Sequence, residues 1–405
     1  MTTRLLACGV LIIAAVACKN TTGSSDGGTP LPPDDPALIT SGKDIFRFDT
    51  FGDETFWTDT LRMHEVISSA VDPTTALSVG LKVDTDSLPP AVAQGIQNGS
   101  ISLTSPATTV ALLKLNAVVG LKGTVTTVNG QDVLTRVGIT CALCHSTVDN
   151  SFSAGIGKRL DGWPNHDLNV GAIIALSSAL TPAQKTVYNS WGKGRYDARY
   201  NFDGLNGPSV IPPAYGLEGV TSITYTGDGA NIAYWNRYVA VTQMHGHGSW
   251  VEPGISPPEN VQNPPDLVTS KLAALQAYQL SLASPPAPAG TFNVAAAARG
   301  RLVFEGAGQC ASCHMGSNFT DAPGQLHSPT EVVSEPEASG PSLASRSVTK
   351  MYRTTPLRGL WQRSFFFHNG AATALDEVVG IYNARKSLNL TVGQRADLVN
   401  YLRSL

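Results

Sequence analysis

The chain has 405 residues, a formal net charge of −3 and only 15% charged residues. This length is enough for two domains with separate cores. The near-neutral charge balance argues against a nucleic-acid-binding protein and provides no basic face for a membrane surface. The sequence also contains 39 glycines and 26 prolines, which predicts short helices joined by long ordered loops.

Residues 1–18 have the features of an export signal. Arg4 precedes an apolar run that is too short to span a bilayer as a mature helix. The run ends in Ala15-Val16-Ala17-Cys18, which resembles a bacterial lipobox and would leave Cys18 for lipidation. Ordinary signal cleavage would instead leave Cys18 as a free thiol, which is a liability in an exported protein. We therefore expect a lipoprotein on the periplasmic side of the bacterial envelope, attached to the outer membrane and meeting the membrane only through its lipid anchor.

A polar segment follows the leader. Residues 19–40 are rich in Thr, Gly, Ser, Asp and Pro without apolar periodicity, which is typical of a flexible tether. Beyond it, apolar residues at helical spacing predict a helix near 61–67. Ser105-Pro106 predicts the start of another helix that runs through Leu115. Folding is therefore expected to begin near residue 41.

A β-hairpin is predicted next. Two short strands, 124–128 and 133–137, flank Asn129-Gly130, which is the strongest short-range signal for a two-residue hairpin turn. The second strand leads directly to a cysteine-rich motif.

The pattern C-x-x-C-H occurs twice, first as Cys141, Cys144 and His145 and again as Cys310, Cys313 and His314. It is the attachment pattern of c-type haem. The two thiols form thioethers to the porphyrin, and the histidine becomes the proximal ligand of the iron. Zinc sites and dithiol oxidoreductases also use C-x-x-C, but neither needs a histidine directly after it. A four-cysteine zinc site that joins the two pairs is the alternative, and we predict two covalently bound haem c groups.

A proline-rich linker, 284–288, separates two predicted haem domains, 41–284 and 285–405. A helix predicted from Pro264 closes the first domain. In the second domain an alanine-rich helix precedes the motif, and Gly300 on it leaves room for the last helix to cross closely. Thr391 and Gln394 form a capping box at the start of that last helix, on which Tyr401 can fill the crossing.

This order of helix, motif, loop and helix resembles a class I cytochrome c domain. The predicted fold class is therefore mainly α, with two class I cytochrome c-like haem domains, long loops and a small β-hairpin.

The strings after the second motif resemble the bacterial di-haem cytochrome c peroxidase family, whose relatives include the methylamine dehydrogenase maturation enzymes and the di-haem rubber oxygenases. The matching strings are Thr355-Pro356-Leu357-Arg358, Phe367-His368-Asn369-Gly370 and Glu377-Val378-Val379. The match after the first motif is looser, and residues 41–135 have no counterpart. The family also uses calcium between its domains, but no acidic loop here is distinctive enough to assign a Ca²⁺ site.

The resemblance implies a second axial ligand for the second haem seven residues after Leu375, at Tyr382. The peroxidases carry methionine at this position and the maturation enzymes carry tyrosine. A phenolate ligand favours ferric and higher-valent iron. The alternative is a tyrosine that only packs in the core or at an interface.

In the same family the first haem is the reactive one, and a glutamate above it moves protons. Its place falls at or beside His247, in the string Met244-His245-Gly246-His247. Either His245 or His247 could transfer protons or could coordinate the iron; the alternative is a glycine-flanked surface loop. His64 and His166 are further candidates for the sixth ligand.

The resemblance therefore implies a peroxidase-type oxidoreductase that reduces H2O2 or activates O2 at the first haem. Electrons would pass through the second haem to or from a small redox protein. The competing hypotheses are an electron carrier with both irons fully ligated by protein, and a haem-based redox or gas sensor. No nucleic-acid partner is expected.

Overall fold

Prolines mark the start of many helices. In the computed structural model, which describes residues 34–337 and 340–405, five helices have proline as their first residue, where its missing N–H costs no hydrogen bond. The α-helices of the described residues are α1 (Pro36–Phe48), α2 (Met63–Ala70), α3 (Pro73–Ser78), α4 (Pro90–Gln97), α5 (Pro106–Lys114), α6 (Ala142–His145), α7 (Val170–Ala175), α8 (Pro182–Ser190), α9 (Tyr200–Asp203), α10 (Ile232–Tyr238), α11 (Leu272–Ser281), α12 (Val294–Glu305), α13 (Leu375–Arg385) and α14 (Val392–Arg403). Single π-helical turns lie at Thr55–Thr60 and Val239–Gln243.

The strands are short. They are β1 (Val83–Asp84), β2 (Leu121–Val128), β3 (Gln131–Ile139), β4 (Ser146–Val148), β5 (Ile156–Gly157), β6 (Arg159–Asp161), β7 (Arg195–Tyr196), β8 (Ser209–Val210), β9 (Gly248–Glu252) and β10 (Glu259–Asn263). Over the described ranges they form five two-stranded sheets, of which only β1 with β5 is parallel. The chain is therefore mainly helical, with small sheets at its loops.

The predicted hairpin is confirmed and is longer than expected. β2 and β3 pair from Leu121–Ile139 to Val128–Gln131. Asn129 and Gly130 both have positive φ, at 51° and 80°, as a two-residue turn that matches the strand twist requires.

The leader and Cys18 lie outside the described residues, and so does most of the predicted tether. Residues 36–40, which composition assigned to that tether, instead form the start of α1, because Asp35 caps the helix by accepting from Ala37 N and Leu38 N. The helix predicted from Pro264 also begins later, at Leu272, after a 3₁₀ turn. No helix of the described ranges is long and apolar enough to cross a membrane.

We refer to residues 34–284 as the first half and to residues 285–405 as the second half. In the second half α12 and α14 cross closely, as predicted. A Cβ at Gly300 would overlap Asp397 O and lie 2.9 Å from the Cβ of Tyr401. The Tyr401 ring packs edge-to-face on Phe304, 5.2 Å between centroids.

The first half contains the same crossing, which the sequence analysis did not find. A Cβ at Gly42 on α1 would overlap Ala274 O on α11 and lie 2.7 Å from the Cβ of Tyr278. The Tyr278 ring packs edge-to-face on Phe46 at 5.5 Å. In both halves a glycine and a phenylalanine four residues later therefore meet a tyrosine of the last helix.

Between α1 and the first motif the first half holds an inserted segment, residues 49–140. Its helices α2 to α5 and the hairpin contribute Trp57, Leu113 and Leu134 to an apolar core that they share with later residues of the first half, such as Leu168 and Trp191. A second core surrounds the α1–α11 crossing, and a third surrounds the α12–α14 crossing.

A buried ionic cluster joins the halves. The Arg346 guanidinium of the second half forms ion pairs with Asp197 and Asp203 of the first half, both at 2.8 Å. All three side chains are at most 3% exposed. Because buried charges are costly without a partner, this cluster fixes the second half on the first.

Candidate functional site: two cysteine–histidine motifs and an apolar cavity

The first motif begins where the hairpin ends. Ile139, the last residue of β3, donates its N–H to the buried Asp53 carboxylate. Thr140 N then bonds Gly120 O at 2.9 Å, and Cys141 is the N-cap of α6. One helical turn brings the thiols of Cys141 and Cys144 to the same side of the chain, with His145 directly after them.

Three of the four motif thiols have raised pKa values. Burial raises the pKa of Cys141 and of Cys144 to about 12, and it raises the pKa of Cys310 to about 11. Reactive and metal-binding thiols have lowered pKa values instead. Among the described residues, no cluster of potential metal donors contains thiols of both pairs, so the structure does not bring the four cysteines together as a single zinc site would require.

The two motif histidines are held in the same way. His145 Nδ1 lies 3.1 Å from Pro212 O, and His314 Nδ1 lies 3.1 Å from Phe319 O. A carbonyl can only accept, so Nδ1 carries the proton and Nε2 keeps its lone pair. Burial lowers the pKa of His145 to about 4 and also lowers that of His314, so both rings are neutral, as a metal ligand must be.

An apolar cavity opens beside the first motif. Its volume is about 240 Å³, and Cys141, Cys144 and His145 are part of its lining. Apolar side chains from distant parts of the chain form much of its wall, including Trp57, Val170, Ile174, Trp235, Val239 and Met244. The described residues that line it include no aspartate, glutamate or lysine, and His145 is their one histidine.

Both π-helical turns contribute to this wall. The first contains Trp57, and the second contains Val239 and Gln243. Trp57 Nε1 donates to Met244 O at 3.2 Å and so ties the turns together. The Gln243 amide donates to Ala198 O at 2.7 Å. Single π-helical turns are rare and occur often at functional sites.

His245 and His247 lie behind this wall and do not line the cavity. The His245 ring stacks on Phe56 with 3.7 Å between centroids, and burial lowers its pKa to about 4. His247 Nδ1 lies 3.1 Å from Pro264 O. In this conformation the structure therefore brings neither histidine to the first motif.

His64 and His166 also lie outside the cavity lining. His166 accepts from Ser364 N at 3.3 Å and packs against Phe365. Neither is placed as a ligand at the first motif.

Three arginines of the second half reach the cavity, namely Arg353, Arg358 and Arg363. Arg358 donates to Gly216 O at 2.9 Å and to Ser317 O at 3.1 Å. Arg363 donates to Arg358 O at 2.7 Å. The guanidinium of Arg353 makes no hydrogen bond or ion pair among the described residues, and its Nε and Nη1 are buried. The cavity thus carries positive charge without a carboxylate.

The second motif lies against the α12–α14 crossing. Cys310 and the Phe319 ring are part of the same apolar cluster as Phe304 and Leu402. Tyr382 on α13 lies near the thiols of Cys310 and Cys313. Burial raises the pKa of its phenol, and the two neighbouring thiols raise it further. Its hydroxyl makes no hydrogen bond among the described residues.

The helices that precede α11 and α14 can be compared position by position. α10 begins at Ile232 and α13 at Leu375, and both residues are buried. Seven residues later stand Val239 in the first half and Tyr382 in the second. Val239 lines the first cavity and has no atom that can coordinate a metal, whereas a tyrosine phenolate can.

The sequence analysis identified the motifs and Tyr382 but missed Trp57, Val239, Met244 and Arg353. Arg353 comes two residues before a family-like string, and Met244 directly precedes His245, so both were within reach of the sequence. Nothing in the sequence links Trp57 to a motif 84 residues further on.

Both sites fit a covalently attached haem. Each offers two thiols for thioethers, a neutral imidazole with a free Nε2, and apolar surroundings. The first adds a cavity lined by three arginines, of which the Arg353 guanidinium has no partner among the described residues, and guanidinium groups suit the carboxylates of a porphyrin.

Comparisons with known proteins give only distant likenesses. No family model and no curated protein matches the chain. Two solved structures cover 49% of this chain, and the match spans 73% of each of them. The first is hydrazine synthase of Kuenenia stuttgartiensis, pressurized with xenon, at 19% identity and a TM-score of 0.35. The second is a MauG-like protein associated with microbial copper homeostasis, at 16% identity and a TM-score of 0.32. Likenesses this distant support no conclusion about this chain.

Proposed function

We propose that the protein is an exported di-haem c-type cytochrome that acts as a peroxidase-type oxidoreductase, related to the di-haem cytochrome c peroxidases. The observation that carries the proposal is the repeated arrangement of motif and helix crossing. In each half the histidine that follows two thiols has its Nδ1 held by a backbone carbonyl, at 3.1 Å in both cases. The same glycine–tyrosine crossing supports each motif.

Cys141 and Cys144 would hold one haem c and Cys310 and Cys313 the other. When bound, haem supplies an iron centre at which H2O2 or O2 can be bound and reduced. The chain's own contribution at the first site is to hold His145 with Nε2 free to coordinate iron. It also surrounds the site with apolar side chains that exclude water.

The first site is proposed as the reactive one because Val239 stands where Tyr382 stands in the second half. Valine cannot coordinate iron, so a haem held by Cys141, Cys144 and His145 would have room for a small exogenous ligand. The amides of Gln243 and Asn236 line the cavity and can hydrogen-bond a ligand. An amide cannot, however, act as a general acid or base and transfer a proton. A proton would have to come through water or from His245 and His247 behind the wall, so their proton-transfer role stays a prediction.

The second site is proposed as the electron-transfer site, with Tyr382 as the second axial ligand. Its phenol is raised in pKa by burial, and a bound metal would favour the phenolate. A small redox protein would exchange electrons here. Periplasmic location and a lipid anchor at Cys18 are parts of the same proposal.

A second candidate function is a pure electron carrier. Met244 lines the first cavity, and a thioether is a common sixth ligand in electron-transfer cytochromes. With Met244 and Tyr382 both bound, neither site would accept a small molecule.

Ligand binding separates the two functions. The reduced protein is titrated with CO, the oxidised protein with cyanide and peroxide, and each is followed by absorption spectroscopy. The oxidoreductase predicts that one haem per chain binds these ligands and that peroxide oxidises an added donor catalytically. Two haems inert to all three ligands would instead support the carrier. In that case Met244→Leu should open one haem to CO, while Met351→Leu, a methionine that does not line the cavity, should not.

A further inference from the structure

Arg353 is a half-buried arginine whose guanidinium has no hydrogen-bond partner among the described residues. Its Nε and Nη1 are buried without a partner, although the residue lines the first cavity. Its backbone N–H donates to Tyr225 O of the first half at 2.8 Å, so its position is fixed across the boundary between the halves. Burial, together with the nearby Arg363, lowers the pKa of Arg353 to about 10.

Arg346, seven residues earlier, shows how this chain normally treats a buried guanidinium. Arg346 pairs with two carboxylates and also donates to Gly207 O and Leu205 O. Removing a guanidinium from water without such partners is energetically costly. The cavity lining offers Arg353 no carboxylate among the described residues, so the missing anion is expected to come from a ligand.

We propose that Arg353, with Arg363 beside it, binds the propionate carboxylates of the first haem, so that the second half holds the cofactor of the first half. This inference rests on the proposed function, because it requires haem at Cys141 and Cys144. The two propionates are the carboxylates that the cavity lacks, and a guanidinium can bind a carboxylate through two parallel hydrogen bonds. Arg353 is thus a positioning residue and not a catalytic one.

The arrangement has a redox consequence. A positive charge close to the porphyrin favours addition of an electron to the iron, and a site shielded from water screens that charge only weakly. Loss of the charge at Arg353 should therefore make the first haem harder to reduce. The second haem, whose surroundings come from α12, α13 and α14, should not respond.

The test is a redox titration of the full-length protein carrying Arg353→Met. We expect the ratio of reduced to oxidised first haem at a fixed potential to fall about tenfold, which equals ~59 mV for a one-electron couple. Tyr382→Phe assigns the two transitions, because it should shift only the second haem. Arg299→Met is the matched control: it removes an arginine of the same half whose side chain is 60% exposed, and it should shift neither.

The outcomes separate the inference from the function. If peptides carry haem at Cys141 and Cys144 but Arg353→Met leaves both potentials unchanged, the propionate contact is wrong and the proposed function stands. If these cysteines carry no haem, the function fails and this inference fails with it. Should Arg353→Met not accumulate, Arg353→Lys keeps the charge but loses the two-pronged contact, and a smaller fall in the same direction is expected; no fall would overturn the proposal.

Discussion

The two motif sites are built from the same parts but are completed in opposite ways. The second site is local: its motif, its supporting helices and Tyr382 all lie between residues 294 and 403. The first site is assembled from distant segments, with walls from Trp57, from the π-helical turn at 239–243 and from arginines of the second half. Tyr382 lies near the thiols of the second motif, whereas the first motif borders a cavity.

This difference suggests how one repeated unit can serve two purposes. The helix crossing and the histidine anchor are shared, so both motifs hold their histidine equally well. What differs is the residue seven positions after the start of the preceding helix, Val239 or Tyr382, and the source of the surrounding wall. An inserted segment and a second half can enclose a cavity without disturbing the crossing that supports the motif.

Tyr382→Val gives the largest expected change, because it makes the second site resemble the first. Without a phenolate ligand, the second haem should bind CO when reduced, and the number of CO molecules bound per chain should rise from one to two. CO titration with the reduced protein measures this. The reciprocal variant Val239→Tyr should lower the number. If Tyr382→Val still binds only one CO, Tyr382 does not occupy the sixth position.

Arg346→Met tests whether the buried ionic cluster between the two halves stabilises the protein. The change leaves Asp197 buried without a cation and leaves Asp203 with only the longer pair to Arg199 at 3.9 Å, so the free energy of unfolding should fall by about 3–5 kcal/mol. Denaturant unfolding measures this loss. The matched control, Arg299→Met, breaks the exposed pair with Asp397 and should cost only about 0–1 kcal/mol. Equal effects of the two variants would contradict the role of the buried cluster.

Gly300→Ala and Gly42→Ala test the feature that the halves share. A methyl group at either position overlaps a backbone oxygen of the crossing helix, so each should destabilise the protein by about 1–3 kcal/mol. Gly380→Ala is the matched control, because a Cβ at this helical position meets nothing within 4 Å and should stabilise by about 0.5–1 kcal/mol. Thermal unfolding followed by circular dichroism compares the three. A neutral Gly42→Ala would show that the two crossings are not equivalent.

The second half was easier to predict than the first for a physical reason. Gly300, Phe304 and Tyr401 lie on two helices with ordinary caps and spacing, so local patterns were enough to predict the crossing. The corresponding residues of the first half, Gly42 and Tyr278, are separated by the inserted segment, which hid the repeat.

The site walls show the same limit. Short-range patterns predicted the hairpin and the haem motifs, but a cavity wall depends on which distant segments pack together. The family resemblance placed His245 and His247 at the first site. The π-helical turn at 239–243 instead brings Val239 and Gln243 to the wall, with Met244 directly after them. A π-helical turn adds a residue to the helix and so changes which side chains face the cavity.

The most direct test of the central claim is the mass of the denatured protein, together with haem staining of its separated peptides. Two attached haems are predicted, one on the peptide with Cys141 and Cys144 and one on the peptide with Cys310 and Cys313. A mass gain of only one haem, or none, after expression in a host that attaches c-type haem would contradict the duplicated arrangement and the ligand assignments that depend on it.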